Sequence, residues 1–122
     1  MARILVVDDE EKIRKIYTKL LLSEQHDVLE AADAVDAARL LIEDRKIDLI
    51  LLDINLPVSD GGILYRMIRM LDPRIKVIVT SAYPLQDQKN RIERADDYYD
   101  KSQGIRVLSE KIKNQLESPS LA

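Results

Sequence analysis

Short apolar runs alternate along the chain with segments of helical periodicity. Three runs predict strands buried on both faces of a parallel sheet: Ile4–Val7, Ile47–Leu52 and Lys76–Thr80. Asp27–Ala31 alternates weakly and predicts an outer strand, and Tyr98–Asp100 predicts a short last one.

Between and after these strands, apolar residues at helical spacing predict four helices: Glu11–Glu24, Ala34–Asp44, Gly62–Leu71 and Ile105–Leu116. Pro57 ends the pairing of the central strand, and Asp60-Gly61-Gly62 predicts a turn that leads into the third of these helices. Ile16, Ile42 and Ile63 are among the residues that this spacing assigns to the inward faces. Between Tyr83 and Arg94 the aliphatic residues are few, so we expect a short and weakly anchored helix there.

Strands that alternate with single helices predict βα units with right-handed crossovers and a parallel sheet. For five strands we expect a flavodoxin-like α/β fold, strand order 2-1-3-4-5, with helices on both faces. The chain has 122 residues, which suits one domain. We assign residues 1–117 to that domain and 118–122 to a flexible tail or linker stub.

Four of the predicted strands end in polar residues. The first ends in Asp8 and Asp9, the central strand in Asp53, the next in Ser81 and the last in Lys101. The carboxyl ends of parallel strands share one edge of the sheet, where open α/β proteins bind their ligands. We therefore expect these side chains to form one site.

The motifs that carry these residues are ILVVDDE, LILLDINLPVSDG, VIVTSA and ADDYYDK. In this order and spacing they resemble the receiver domain of two-component response regulators, over Ile4 to about Leu116. The resemblance implies a signalling domain, not an enzyme with its own substrate. Such a domain takes a phosphoryl group from a histidine kinase or a phosphotransfer protein.

The resemblance implies a role for each site residue. Asp53 would be the phosphoryl acceptor, Lys101 would neutralise a phosphoryl oxygen, and Ser81 would donate a hydrogen bond to another. Thr80 competes for the hydroxyl role, but Ser81 precedes a small residue, Ala82, as the family's hydroxyl does.

Carboxylates crowded at one sheet edge repel each other, and a hard divalent cation would relieve that repulsion. Oxygen ligands favour Mg²⁺, which also binds phosphate oxygens. By resemblance, Asp9 and Asp53 would coordinate the ion directly, Asn55 would offer its backbone carbonyl, and Asp8 would act partly through water.

The resemblance also implies a conformational switch formed by Ser81 and Tyr98. Phosphorylation would draw the Ser81 hydroxyl inward and let the Tyr98 ring turn. This would reshape the face of the fourth helix and fifth strand, where a downstream effector protein or domain would bind. Tyr83, two residues past Ser81, would shield the phosphoryl group from water.

Three features depart from the family pattern. Ser102 follows Lys101 where the family usually has a proline after a cis peptide, so the resemblance leaves open how Lys101 is held. Arg94 and Ala95 stand where Gly-Ala usually precedes the fifth strand. The interval from Ser81 to Lys101, 20 residues, is about two shorter than usual. All three departures fall on the fourth helix and fifth strand, the surface that such domains commonly use for partners.

Other classes of protein are possible. The main alternative is a degenerate receiver that serves only as an interaction module and is never phosphorylated. A haloacid dehalogenase would need a second aspartate where Asn55 stands. A nucleotide binder would need a glycine-rich loop where Asp8, Asp9 and Glu10 stand.

Composition and charge exclude several classes of binding partner and of metal site. A net charge of −3 argues against direct binding to nucleic acid or to an anionic membrane. The chain has no cysteine, which excludes disulfides and thiolate metal sites. It shows neither a signal-peptide pattern nor an apolar run long enough for a membrane span, so we expect a cytoplasmic location.

Overall fold

A computed structural model describes residues 1–43, 46–56 and 61–118, with the side chains of 89–91 excepted. The strands are β1 (Arg3–Val7), β2 (Asp27–Ala31), β3 (Leu49–Asp53), β4 (Lys76–Ser81) and β5 (Asp97–Asp100). They pair in parallel in the order β2-β1-β3-β4-β5. The predicted flavodoxin-like fold is confirmed.

The helices are α1 (Glu11–Ser23), α2 (Ala34–Glu43), α3 (Gly61–Leu71), α4 (Leu85–Arg91) and α5 (Ile105–Glu117). A 3-10 turn, Lys101–Gln103, separates β5 from α5. The predicted end of the second helix at Asp44 and the predicted loop residues Pro57 and Asp60 lie outside the described part of the chain.

The sheet separates two apolar clusters, because side chains alternate between its faces. On one face, α1 and α5 cover the strands with Tyr17, Leu21, Leu108 and Ile112. On the other, α2 and α3 cover them with Ala37, Leu41, Leu64 and Ile68, and Ile92 joins this cluster from the end of α4. Burial of one such aliphatic side chain contributes about 1.5–3 kcal/mol.

Three residues assigned to inward helix faces are exposed instead: Ile16 (47%), Ile42 (57%) and Ile63 (58%). That part of the prediction is wrong. The buried positions belong to their chain neighbours Tyr17, Leu41 and Leu64. Consecutive residues of a helix are 100° apart, so a neighbour of a buried residue falls at the margin of the apolar stripe.

The register of the strands brings the predicted site together. Val7 of β1 pairs with Leu52 of β3, so the residues that follow, Asp8 and Asp53, lie side by side. In β4, Thr80 pairs with Asp53, and Ser81 lies one position further on. No helix in the described ranges is long and apolar enough to cross a membrane.

Candidate functional site

Asp8 lies at the end of β1 with only 1% of its surface exposed. Its Oδ1 accepts a hydrogen bond from the backbone N–H of Glu10 at 2.9 Å. Its own N–H donates to the carbonyl of Ala31, and its carbonyl accepts from the Arg14 guanidinium at 2.7 Å. Asp8 is therefore fixed by contacts to β2 and α1 as well as by its own strand.

Asp53 ends β3 and is also buried, with 3% of its surface exposed. Its Oδ1 accepts from the backbone N–H of Asn55 at 3.0 Å. The first residue of α3, Gly61, packs against the same backbone, because a Cβ there would lie 2.8 Å from the Asp53 carbonyl oxygen. The sequence predicts a turn at Gly61 but does not predict this close approach to the site.

Lys101 joins these two aspartates. Its Nζ lies 2.9 Å from Oδ2 of Asp8 and 3.5 Å from Oδ2 of Asp53. The peptide bond between Lys101 and Ser102 is trans. Ser102 donates its N–H and its hydroxyl to the Asp100 carboxylate at 2.9 and 2.8 Å, which caps the 3-10 turn behind Lys101.

The electrostatics follow from this geometry. Burial, and then the charge of Asp8, raise the pKa of Asp53 to about 6 against the opposing charge of Lys101. Burial alone would lower the pKa of Lys101. The hydrogen bond to Asp8 and the charge of Asp53 outweigh it and hold that pKa above its ordinary value.

An acidic cluster lies next to Asp53 and Lys101. Carboxylate oxygens of Asp8, Asp9 and Glu10 lie within 4.8 Å of one another, and Asp9 and Glu10 are exposed. An all-oxygen donor set that opens to solvent on one side fits a hard cation such as Mg²⁺. Glu10 was not predicted as part of the site. The Lys101 ammonium lies between Asp53 and this cluster, because it contacts the carboxylates of both Asp53 and Asp8.

The two hydroxyl candidates are both buried. The Ser81 Oγ accepts a hydrogen bond from the backbone N–H of Tyr83 at 3.0 Å. Thr80 lies beside Asp53 in the strand register, whereas Ser81 lies beside Asp100. The assignment of the switch hydroxyl to Ser81 stays a prediction.

Tyr98 is half-buried, and its hydroxyl is engaged. It donates to the carbonyl of Ile92 at 2.6 Å and accepts from the N–H of Ala95 at 3.1 Å. The ring packs against the cluster under α2 and α3. The switch role of Tyr98 and the shielding role of Tyr83, which is 37% exposed, stay predictions.

Gln88 is a further site-region residue that the sequence analysis missed. It is fully buried in α4, and its Nε2 donates to the carbonyls of Tyr83 at 2.8 Å and Tyr99 at 3.0 Å. It therefore links the loop after Ser81 to β5. A glutamine in a helix with few aliphatic residues was the available signal.

Comparison with known proteins supports one family. Residues 4–113 match the family described as the response regulator receiver domain. The chain is 32% identical to sporulation initiation phosphotransferase F of Bacillus subtilis over 66% of its own length and 64% of that protein. It is 36% identical to the transcriptional regulatory protein AruR of Pseudomonas aeruginosa over 93% of its length and 49% of that protein. The chain thus spans less than two thirds of the length of each of these two relatives.

Solved structures agree. The response regulator TrrA of Thermotoga maritima, solved in complex with Mg²⁺-BeF, superposes with a TM-score of 0.85 and is 32% identical, over 94% of this chain and 99% of that one. A receiver domain from Methanospirillum hungatei superposes with a TM-score of 0.85 at 34% identity, over 96% and 94%. The chain belongs to the family of response regulator receiver domains, the signalling modules of two-component systems.

Proposed function

We propose that this receiver domain accepts a phosphoryl group on Asp53 from a histidine kinase or a phosphotransfer protein. The observation that carries the proposal is the position of Lys101, whose ammonium contacts the carboxylates of Asp8 and Asp53 together. Such an arrangement suits an acceptor that must bind a multiply charged group.

In the proposed reaction an Asp53 carboxylate oxygen attacks phosphorus, and a new P–O bond forms as the donor's P–N bond breaks. The donor imidazole keeps the electron pair of that bond. In a separate, later step, water attacks the phosphorus of the acyl phosphate and gives up its proton to solvent. The P–O bond to Asp53 breaks, Asp53 leaves as the carboxylate with the electron pair, and inorganic phosphate is released. The transferring group passes through a loose state, so catalysis depends on positioning and charge neutralisation.

Mg²⁺ is the cofactor that the donor set fits. Asp8, Asp9 and Asp53, with the backbone carbonyl of Asn55, would hold the ion, and exposed Glu10 adds a carboxylate at the rim. The ion would supply positive charge to the phosphoryl oxygens. The complex of the related TrrA with Mg²⁺-BeF is consistent with this proposal.

The chain's own residues would complete the neutralisation. Lys101 already lies within 3.5 Å of Asp53 and offers a compact positive charge. The Ser81 hydroxyl, at the adjacent strand end, can donate a hydrogen bond. If Ser81 turns toward the phosphoryl group, its bond with the Tyr83 N–H is lost.

This movement of Ser81 would change the surface formed by α4 and β5, and we propose that this change is the signal passed to a partner. Release of Tyr83 would disturb the Gln88 contacts between α4 and β5, and Tyr98 lies on the same side of the sheet. An effector protein or domain that binds α4 and β5 would sense the change. A cytoplasmic location is part of this proposal.

NMR with beryllofluoride and Mg²⁺, which together imitate the acyl phosphate, tests the proposal. In protein already saturated with Mg²⁺, we expect beryllofluoride to cause saturable shifts of the Asp9, Asp53 and Lys101 amides in the parent and none in Asp53→Asn. Asp87→Asn, an exposed acid in α4, is the matched control and should respond as the parent does. A parent that gives no shift would favour the interaction-only module.

A further inference from the structure

A second surface lies at the sheet edge opposite Asp53. A cavity of about 630 Å³ opens between the C-terminal half of α3 and the turn between α4 and β5. Residues that line it include Tyr65, Arg66, Arg69, Met70, Pro73 and Arg94. This volume lies in the range of ligand-binding clefts. We call it the α3–β5 groove.

The floor of the α3–β5 groove is fixed by Arg69. Its guanidinium donates to the Tyr65 hydroxyl at 3.0 Å, to the Ile75 carbonyl at 2.6 Å and to the Asp96 carboxylate at 2.7 Å. The Tyr65 hydroxyl in turn donates to the Arg94 carbonyl at 2.7 Å. The network joins α3 to the starts of β4 and β5, so the groove does not depend on mobile side chains for its shape.

The charge of the groove opposes that of the chain. Among the described residues, five basic and two acidic side chains line it, whereas the whole chain carries −3. Asp96 is already paired with Arg69. Arg66 and Arg94 are exposed and form no ion pair with any acid in the described ranges. Their charges are available to a ligand.

Apolar surface accompanies these charges. Met70 is 86% exposed at the wall of the groove, close to Pro73. An exposed apolar side chain among basic residues suits a ligand that has both apolar and acidic groups.

Arg94 also adopts a conformation that favours glycine. Its φ is +66°, and the backbone is held there by the bond from Tyr65. A side chain in the left-handed region costs free energy that a glycine would avoid. Strain that persists in a folded chain is often found at functional positions. Here the strained residue places a guanidinium at the rim of the groove.

We propose that the α3–β5 groove docks an acidic, extended segment of a partner protein. Its carboxylates would bind Arg66 and Arg94, and an apolar side chain would cover Met70 and Pro73. Nucleic acid fits less well, because a phosphate backbone has no apolar side chain to cover Met70 and Pro73, and the chain outside the groove, with its net charge of −3, would repel a long polyanion. This docking does not depend on phosphorylation of Asp53, which lies at the other edge of the sheet.

A fluorescein-labelled peptide of alternating Glu and Leu tests the docking. Because protein and peptide are both acidic, non-specific attraction would not produce binding. We expect saturable binding that weakens as salt is added, and none to an uncharged alternating Gln-Leu peptide. Arg66→Glu and Arg94→Glu should each weaken it by roughly tenfold. Arg106→Glu, an exposed arginine on α5 with the same charge change, should bind as the parent does.

A pair of glycine variants separates docking from folding. Arg94→Gly should melt at a higher temperature than the parent yet bind the peptide about fivefold more weakly. Gln25→Gly relieves the other non-glycine positive φ in the described part of the chain, +67°, at a residue that does not line the groove. It should raise the melting temperature without a change in affinity.

Several results would overturn the proposal. One is a parent that does not bind the Glu-Leu peptide saturably, and another is an Arg94→Gly variant with parental affinity. Displacement of the peptide by single-stranded DNA would identify a nucleic-acid surface instead. Self-association of the parent that Arg94→Glu abolishes would identify a second copy of the chain as the occupant.

Discussion

The Lys101 ammonium lies 2.9 Å from the Asp8 carboxylate, and neither group is well exposed, at 16% and 1% of the side-chain surface. Lys101→Met removes this contact and leaves Asp8 and Asp53 to repel each other. We expect a loss of about 1–3 kcal/mol in the free energy of unfolding. Urea denaturation in metal-free buffer at neutral pH measures it.

Lys111→Met is the control for this prediction. Lys111 pairs with Asp97 at 3.2 Å, but this pair is more exposed, at 20% and 29%. Its removal should therefore cost less than about 1 kcal/mol. Equal losses in the two variants would contradict a special role for the Lys101 contact.

Asp53→Asn should make stability less dependent on pH. The pKa of Asp53 is about 6 in the folded chain and about 3.9 in an unfolded one. The folded state therefore binds the proton more tightly, and the Asp53 contribution falls as pH rises from about 4 to about 6. In metal-free buffer the variant should exceed the parent by about 1–3 kcal/mol at pH 7.5 and by little at pH 3.5. A difference that stays constant with pH would refute this.

Gln88→Met tests whether the hydrogen bonds of Gln88 hold α4 against the rest of the domain. The substitution keeps the approximate volume but removes both donors, which leaves the Tyr83 and Tyr99 carbonyls without this partner. We expect a loss of about 1–3 kcal/mol and faster hydrogen exchange of the α4 amides. Gln86→Met, at an exposed position of the same helix, should change neither quantity. Slow exchange in Gln88→Met would show that other contacts hold the helix.

Arg94→Gly should stabilise the fold. The left-handed backbone at Arg94 costs about 1–2 kcal/mol, and the greater freedom of glycine in the unfolded chain returns part of that. The net gain should be about 0.5–1 kcal/mol in the free energy of unfolding. The same measurement on Gln25→Gly, where the backbone follows α1 with a φ of +67°, should give a similar gain. A loss of stability in Arg94→Gly would mean that its side chain contributes more than the strain costs.

The strand arrangement and the main site residues could be predicted from the sequence, because buried parallel strands are short apolar runs that end in polar residues. Asp8 and Asp53 were each the first polar side chain after such a run, and Lys101 directly followed the predicted strand Tyr98–Asp100. Their contact depends only on the strand order, which the βα alternation predicts. The distances that now join them are consistent with that reasoning.

Contacts that connect distant segments through single polar atoms could not be predicted in this way. Gln88 was assigned to a weakly anchored helix, because the spacing of apolar residues carries no information about a glutamine that donates hydrogen bonds to two backbone carbonyls. Gly61 was assigned to a turn, but its role is to let α3 approach the backbone of Asp53. Arg94 was noted only as a departure from a family pattern, and its φ of +66° cannot be read from the sequence.

Mass spectrometry can locate the phosphoryl group on the chain and so tests directly whether Asp53 accepts it. The protein is incubated with Mg²⁺ and acetyl phosphate, and intact mass and peptide mapping by mass spectrometry follow. We expect a gain of one phosphoryl group, located on Asp53, that depends on Mg²⁺ and is absent from Asp53→Asn. A parent that gains no phosphoryl group, or an Asp53→Asn variant labelled as fully as the parent, would contradict the proposal that Asp53 is the phosphoryl acceptor.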